Sequence, residues 1–234
     1  MAKTVGFLCM LKLAMLDKAL DLVIEGVKPA DIKEALNDYI SLEIKSPDNI
    51  RKRREMLMNL WVKPFEDERA NQIRNKAIES IRCGSKSRIA LHWCMLLLYY
   101  PVFSDVSGII GKMLIMQDSF SQAWLKEKMA EKWGERATLL KSVERVMQTM
   151  VQLRVLNSEK GIYTANKIPV SSKAETIIII KTILALQMRS YYEPSELTKI
   201  SQMFPFKFSI DPELIFGSGE FEIGNFGGNP VVIG

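Results

Sequence analysis

The sequence predicts a mainly α-helical protein with a small β-rich tail at its C-terminal end. Three observations carry this. Apolar residues recur at helical spacing in long stretches, bounded by proline, serine and glycine. The stretch from Ser119 to Ala165 reads as a helix, a tight turn, a second helix and a short ribbon. After Phe204 the pattern changes to short apolar runs separated by glycine and asparagine.

The 234 residues, 47% hydrophobic and 25% charged, suffice for one large or two small domains with real cores. The expected division is an N-terminal helical bundle over residues 1–100, a helix-turn-helix module over 101–168, and C-terminal helices and short strands over 169–234.

A first helix is expected over residues 4–25, with Leu8, Leu11, Met15 and Leu22 apolar and Gly26 as its stop. Lys3 precedes an apolar run, but Lys12, Asp17 and Lys18 interrupt it, so a helix is expected rather than a signal peptide. Pro29 opens a second helix to Tyr39. Ser46 caps a third, with Asp48 in the first turn and four consecutive cations, Arg51, Lys52, Arg53 and Arg54, after it. A helix from Glu66 to Arg82 runs from acidic to basic, in line with its dipole, and Gly84 stops it. Ser85 is expected to cap the next, Lys86 to Tyr100, whose apolar character makes it the centre of the bundle. His92, the single histidine, lies inside this run and reads as a core residue. Neither this run nor Ile177 to Met188, which contains Lys181, reaches the roughly 18 to 20 residues a bilayer span needs, so no membrane contact is expected.

Val102 to Met116 forms the next helix, with Gly108 and Gly111 allowing a neighbour to approach closely. Ser119 and Gln122 make a capping-box start for a helix whose Leu125, Met129 and Trp133 share a face before Gly134. Leu139, Val143, Val146, Met150 and Leu153 then alternate at spacings of four and three, one stripe of a second helix that must face a core. The opposite side carries Lys141, Arg145, Gln148 and Gln152 at the same spacing. Arg154 to Leu156 and Ile162 to Thr164 read as a hairpin around a five-residue loop, Asn157 to Gly161, with Lys160 near the tip. This order is that of a winged helix-turn-helix. Beyond it, Pro169 and Ser171 to Lys173 open a helix from Ala174 to about Tyr191, Ser195 to Met203 forms a last short helix, and Phe204 to Ile210, Phe221 to Ile223 and Val231 to Ile233 read as strands.

The net charge is +5, and the positive excess is segregated. Residues 50–88 hold 11 basic and 5 acidic side chains, and residues 120–167 hold 9 and 5; elsewhere acids prevail. Segregation of this kind favours a polyanionic partner. Cation and amide groups on one helix face are what groove readers use on phosphates and bases. Lys141, Arg145, Gln148 and Gln152 are therefore expected to enter or border the major groove of double-stranded DNA. Arg154 and Lys160 would hold phosphate from the hairpin, and Arg136 and Thr138 near the helix start. Arg51, Lys52, Arg53 and Arg54 form a second candidate contact.

Chemistry of other kinds is not expected. One histidine excludes a two-histidine metal site, and neither GxxxxGK[ST] nor a GxGxxG after a strand is present. No catalytic residue, metal or cofactor is expected. Cys9, Cys83 and Cys94, scattered and without a CxxC, point to buried free thiols in a reducing cytoplasm.

The segment GSKSRIALHWCMLLLYYPVFSDVSGIIGKML, followed by the capped helix, the turn and ERVMQTMVQLRVLNSEKG, resembles the BrxA-type proteins of bacteriophage-exclusion (BREX) defence systems. The likeness covers residues 50–165 and lies in the order of elements: a helical bundle, a Gly-Ser before a long apolar helix, then an aromatic and apolar helix. It implies a non-enzymatic DNA-binding component of a multi-protein phage-defence system, with other defence proteins as partners. The glycine-rich tail after Phe204 has no counterpart in that pattern. A likeness of that family to helical antitermination factors implies RNA as the alternative ligand. A protein-interaction adaptor, its basic face meeting an acidic partner, is the other alternative.

Overall fold

The computed structural model describes residues 6–85, 88–170, 172–187 and 189–234. The expected helix start at Thr4 with Lys3 before it, the start at Lys86 and the opening at Ser171 lie outside these residues. Among the described residues the protein is mainly helical, with eleven α-helices and eight short strands in three small sheets.

The first helix is shorter than its apolar spacing suggests: α1 spans Leu13–Ile24. Residues 6–12 are instead irregular, neither helix nor strand, and Phe7, Cys9 and Leu11 are buried while Leu8 is exposed. That two-residue alternation is a strand-like pattern, and over so short a run it can also be read as helical. What decides is a distant helix that satisfies the segment's backbone, described below. α2 (Pro29–Ser41) and α3 (Pro47–Trp61) follow, α3 capped by Ser46 Oγ on the Asn49 amide. α4 (Glu68–Arg82) is capped by Asp67. Ser85 does not cap α5 (Ile89–Tyr99); its hydroxyl donates to Glu175 on a helix ninety residues away.

α5 is buried from Ala90 to Leu97 and is the centre of the bundle. It bends by 116° at Tyr100 into α6 (Pro101–Met116), and no single described helix is long and apolar enough to cross a membrane. His92 is fully buried, its Nε2 3.0 Å from Asp17 Oδ1 and its ring edge-on to Trp61. Burial holds this imidazole below its ordinary pKa, against the opposing pull of Asp17. Cys9 and Cys94 are buried, and burial pushes the Cys94 thiol up to about 12. Cys83, expected inside, is exposed at the end of α4.

The C-terminal third contributes to the buried core. α9 (Lys173–Leu186) packs its buried isoleucines, Ile177 to Ile180, against α4 and α5. It ends earlier than expected, and Tyr191–Tyr192 forms strand β5. The expected helix from Ser195 to Met203 is two pieces, α10 (Pro194–Leu197) and a 3-10 turn (Ser201–Met203). The turn lies against α6: a Cβ on Gly111 would stand 1.9 Å from the Ser201 carbonyl oxygen, so only glycine fits. Trp93 Nε1 donates to Gln202 O at 3.0 Å and holds the turn there.

Phe206–Lys207 (β6) pairs in parallel with Ile168–Pro169 (β4), and a short α11 (Pro212–Phe216) follows. Ile223–Phe226 (β7) and Asn229–Ile233 (β8) form a hairpin about Gly227 and Gly228, with β5 beside β8. One continuous buried cluster runs through all three stretches of the chain divided at residues 100 and 168.

Candidate nucleic-acid interface

Ser119–Ser121 forms strand β1, and the cap of the following helix, α7 (Gln122–Trp133), is Ser121, its Oγ accepting from the Trp124 amide at 3.2 Å. The expected cap, Ser119, is two residues too early because the strand claims it. Gly134 leaves the helix at φ 79°, and a three-residue turn leads into α8 (Ala137–Gln152). The hairpin is tighter than the spacing suggests. Leu156–Glu159 (β2) and Ile162–Ala165 (β3) pair with Glu159 opposite Ile162, leaving only Lys160 and Gly161 in the turn. Their φ values of 50° and 81° match the strand twist as a type I′ turn does. β1 adds to β3, giving the sheet order β1-β3-β2.

α8 buries Leu139, Val143, Val146, Met150 and Leu153 completely. Its burial is wider than that stripe, because the segment 6–12 packs beside it. Ser142 Oγ donates to Phe7 O at 3.0 Å, and Leu11 N donates to Thr149 Oγ1 at 3.0 Å, so two turns of α8 satisfy backbone groups that the segment cannot pair itself. With α6, α7 and this segment against it, α8 keeps one side open. On that side Lys141, Gln148 and Gln152 are exposed and Arg145 is half-buried. Arg136 and Thr138 are exposed at the helix start, where no side chain caps the first amides.

Two further cations hold unusual backbone positions. Arg154 (φ 58°) and Lys160 (φ 50°) are the non-glycine residues with positive φ among the described residues. Arg154 ends α8 in a left-handed turn, its amide bonded to Val151 O at 2.9 Å and the Val155 amide to Met150 O at 3.0 Å. Asn166 Nδ2 donates to Arg154 O at 2.8 Å, and the Asn157 and Asn166 amides pair with each other, tying the base of the hairpin. Asn157 lies in β2 and Asn166 just after β3, and their pairing is visible only with the strands in register. Both cations are exposed.

The two basic blocks differ in how their charge is held. Among the described residues, Lys141, Arg145, Arg154 and Lys160 form no ion pair, while Glu144 stands 3.9 Å from Lys126. Arg51 and Lys52 both pair with Asp48, Arg54 pairs with Glu55 and bonds Asn37, and Arg53 donates to the Asn49 carbonyl. The lysine and the arginine beside Asp48 hold its carboxyl below the usual range. α3 thus compensates much of its own charge, and α8 with its hairpin does not.

No group of three or more His, Cys, Asp or Glu side chains able to hold a metal is found among the described residues. No protein-family model, curated protein or solved structure matches the chain.

Proposed function

We propose that the protein binds double-stranded DNA without catalysing a reaction, and that the unit from α6 to β3 is a winged helix. α8 is its recognition helix and the Lys160–Gly161 turn the tip of its wing. Carrying this reading is one observation: the helix whose open side presents Lys141, Arg145, Gln148 and Gln152 runs directly into a hairpin bearing Arg154 and Lys160, in a sheet of order β1-β3-β2. Cations unpaired within the protein are free to exchange counterions for phosphates, and amides on the same stripe match the donor and acceptor pattern of adenine. Arg136, Thr138 and the uncapped amides at the start of α8 suit a backbone phosphate. The resemblance to BrxA-type proteins is the ground for extending the proposal to a bacteriophage-exclusion system of the cytoplasm, with other defence proteins as partners.

With about five or six phosphates neutralised, log affinity for a duplex should fall against log salt with a slope near −5. Replacing Lys141, Arg145 and Lys160 together by alanine should make that slope shallower by about 3. Fluorescence anisotropy with a labelled duplex measures both. A flat salt response, or unchanged binding in the triple variant, would end the reading. Stronger competition by RNA than by duplex DNA at fixed salt would move it to the antitermination-like alternative.

A further inference from the structure

A cavity of about 540 Å³ opens between α4, α9 and the tail around residue 220, in the size range of small-molecule sites. Its floor is apolar where Ile73, Leu184 and Ala185 reach it. Into it comes Lys181, the one cation within an otherwise apolar stretch of α9, with Lys76 of α4 reaching the same carboxylate. Both lysines converge on Glu220: Lys76 Nζ bonds one carboxylate oxygen, and Lys181 Nζ lies 3.3 Å from the other and donates to the Glu220 carbonyl at 2.7 Å. The Lys181 ammonium also stands over the Phe221 ring, 5.4 Å from its centre. Burial raises the Glu220 carboxyl, but the two lysines hold it below its ordinary value.

A tail anchor would account for the ion pairs and leave the cavity beside them without a reason. The cavity joins two ammonium groups focused on one anionic centre, an aromatic face, and the amides of Gln72 and Asn75 on the exposed side of α4. Glu79 and Glu222 line it too, and Arg69, which lines it as well, stands 3.6 Å from Asp67, so the lining side chains carry a net positive charge only where Glu220 gives way. We propose that this cavity binds a small anionic molecule bearing a planar ring, with Lys76 and Lys181 taking its phosphate in place of Glu220, Phe221 against the ring and Gln72 and Asn75 at the ring's polar edge. Lysines act here as point charges, which suits a phosphate whose orientation the ring sets. Glu220 is then an internal competitor that closes the site when no ligand is present.

The probes are adenosine and guanosine monophosphate, with the free nucleosides and inorganic phosphate as controls, titrated calorimetrically into the full chain. At least one nucleotide should bind, ten-fold or more tighter than either of its parts. Glu220→Gln, which keeps the shape and removes the competing charge, should tighten that binding about ten-fold, and Lys76→Ala should weaken it at least ten-fold. Lys141→Ala with Arg145→Ala should leave it unchanged, which separates this site from the DNA surface. Absence of binding in both wild type and Glu220→Gln overturns the proposal. So does equal binding of inorganic phosphate, weaker binding by a folded Glu220→Gln, or loss of binding with the α8 substitutions. Should Glu220→Gln unfold, Lys76→Ala decides: nucleotide binding that survives it unweakened also overturns the proposal.

Discussion

Replacing Arg154 by glycine and Lys160 by asparagine should make the protein more stable and a poorer DNA binder at once. Both residues stand in the left-handed region, which costs an L-residue other than glycine or asparagine roughly 1–2 kcal/mol. Glycine's extra freedom in the unfolded chain takes back about 0.5–1 kcal/mol, so Arg154→Gly should gain about 0.5–1 kcal/mol net. Asparagine tolerates this backbone better than lysine, and Asn-Gly is a favoured pair for such a turn, so Lys160→Asn should add about 0.5 kcal/mol. Together these amount to a rise in Tm of roughly 3–5 °C for a chain of this size. Each lost cation removes about 0.9 from the salt slope, and at 0.1 M salt roughly ten-fold from the affinity. Urea unfolding and duplex anisotropy over a salt series read the two effects separately. A double variant that is less stable than wild type, or that binds duplex with an unchanged slope, would refute the reasoning that these cations keep costly backbone positions for the sake of phosphate.

Four further outcomes follow from the packing and the charges. Gly111→Ala should cost about 3 kcal/mol, because its Cβ meets the Ser201 carbonyl, whereas Gly108→Ala, with the Gln202 side-chain nitrogen 3.4 Å away, should be neutral or gain up to about 1 kcal/mol; thermal melts of the pair test the contrast. Thr149→Val keeps the shape but leaves the buried Leu11 amide without its acceptor, and should cost about 1–3 kcal/mol in urea unfolding. His92 is held neutral by burial, so the unfolded chain takes up a proton below about pH 6.5 and the folded chain does not. Stability should therefore be full above that value and fall as pH drops below it, by up to about 1.4 kcal/mol per pH unit, and His92→Gln should flatten the loss between pH 7.5 and 5.5. Arg51→Ala with Lys52→Ala should change the duplex salt slope by less than about 0.5, since Asp48 already holds both charges; a fall near 1.8 would make α3 part of the interface.

Where caps and apolar spacing agree, the expected elements are found, because both act within one turn of helix. Ser46 caps α3, Gly26 and Gly134 end helices with positive φ, and the five apolar residues of α8 all turn inward. The open stripe of Lys141, Arg145, Gln148 and Gln152 is legible for the same reason: a helix with one buried side has another to spare. The readings that shifted lie where two local signals compete. Ser119 and Ser121 both suit a cap, and pairing of β1 with β3 decides for Ser121. The sequence lets the helix run on to about Tyr191, but pairing of Tyr191 and Tyr192 with Ile233 and Val232 draws them into a strand.

From the order of residues alone come the helix faces, the stops, and the segregation of charge into two blocks, since each depends on neighbours a few positions apart. Contacts across the molecule settle the rest. Residues 6–12 form no helix, and Ser142 and Thr149, more than a hundred residues away, hold them through the Phe7 carbonyl and the Leu11 amide. The cations of α3 and α8 look alike in the sequence, yet Arg51, Lys52 and Arg54 of α3 pair with Asp48 or Glu55, while among the described residues Lys141, Arg145, Arg154 and Lys160 form no ion pair. Lys76, Lys181 and Glu220 meet around one cavity because α4, α9 and the tail pack together, and no spacing along a chain encodes a distance between elements so far apart.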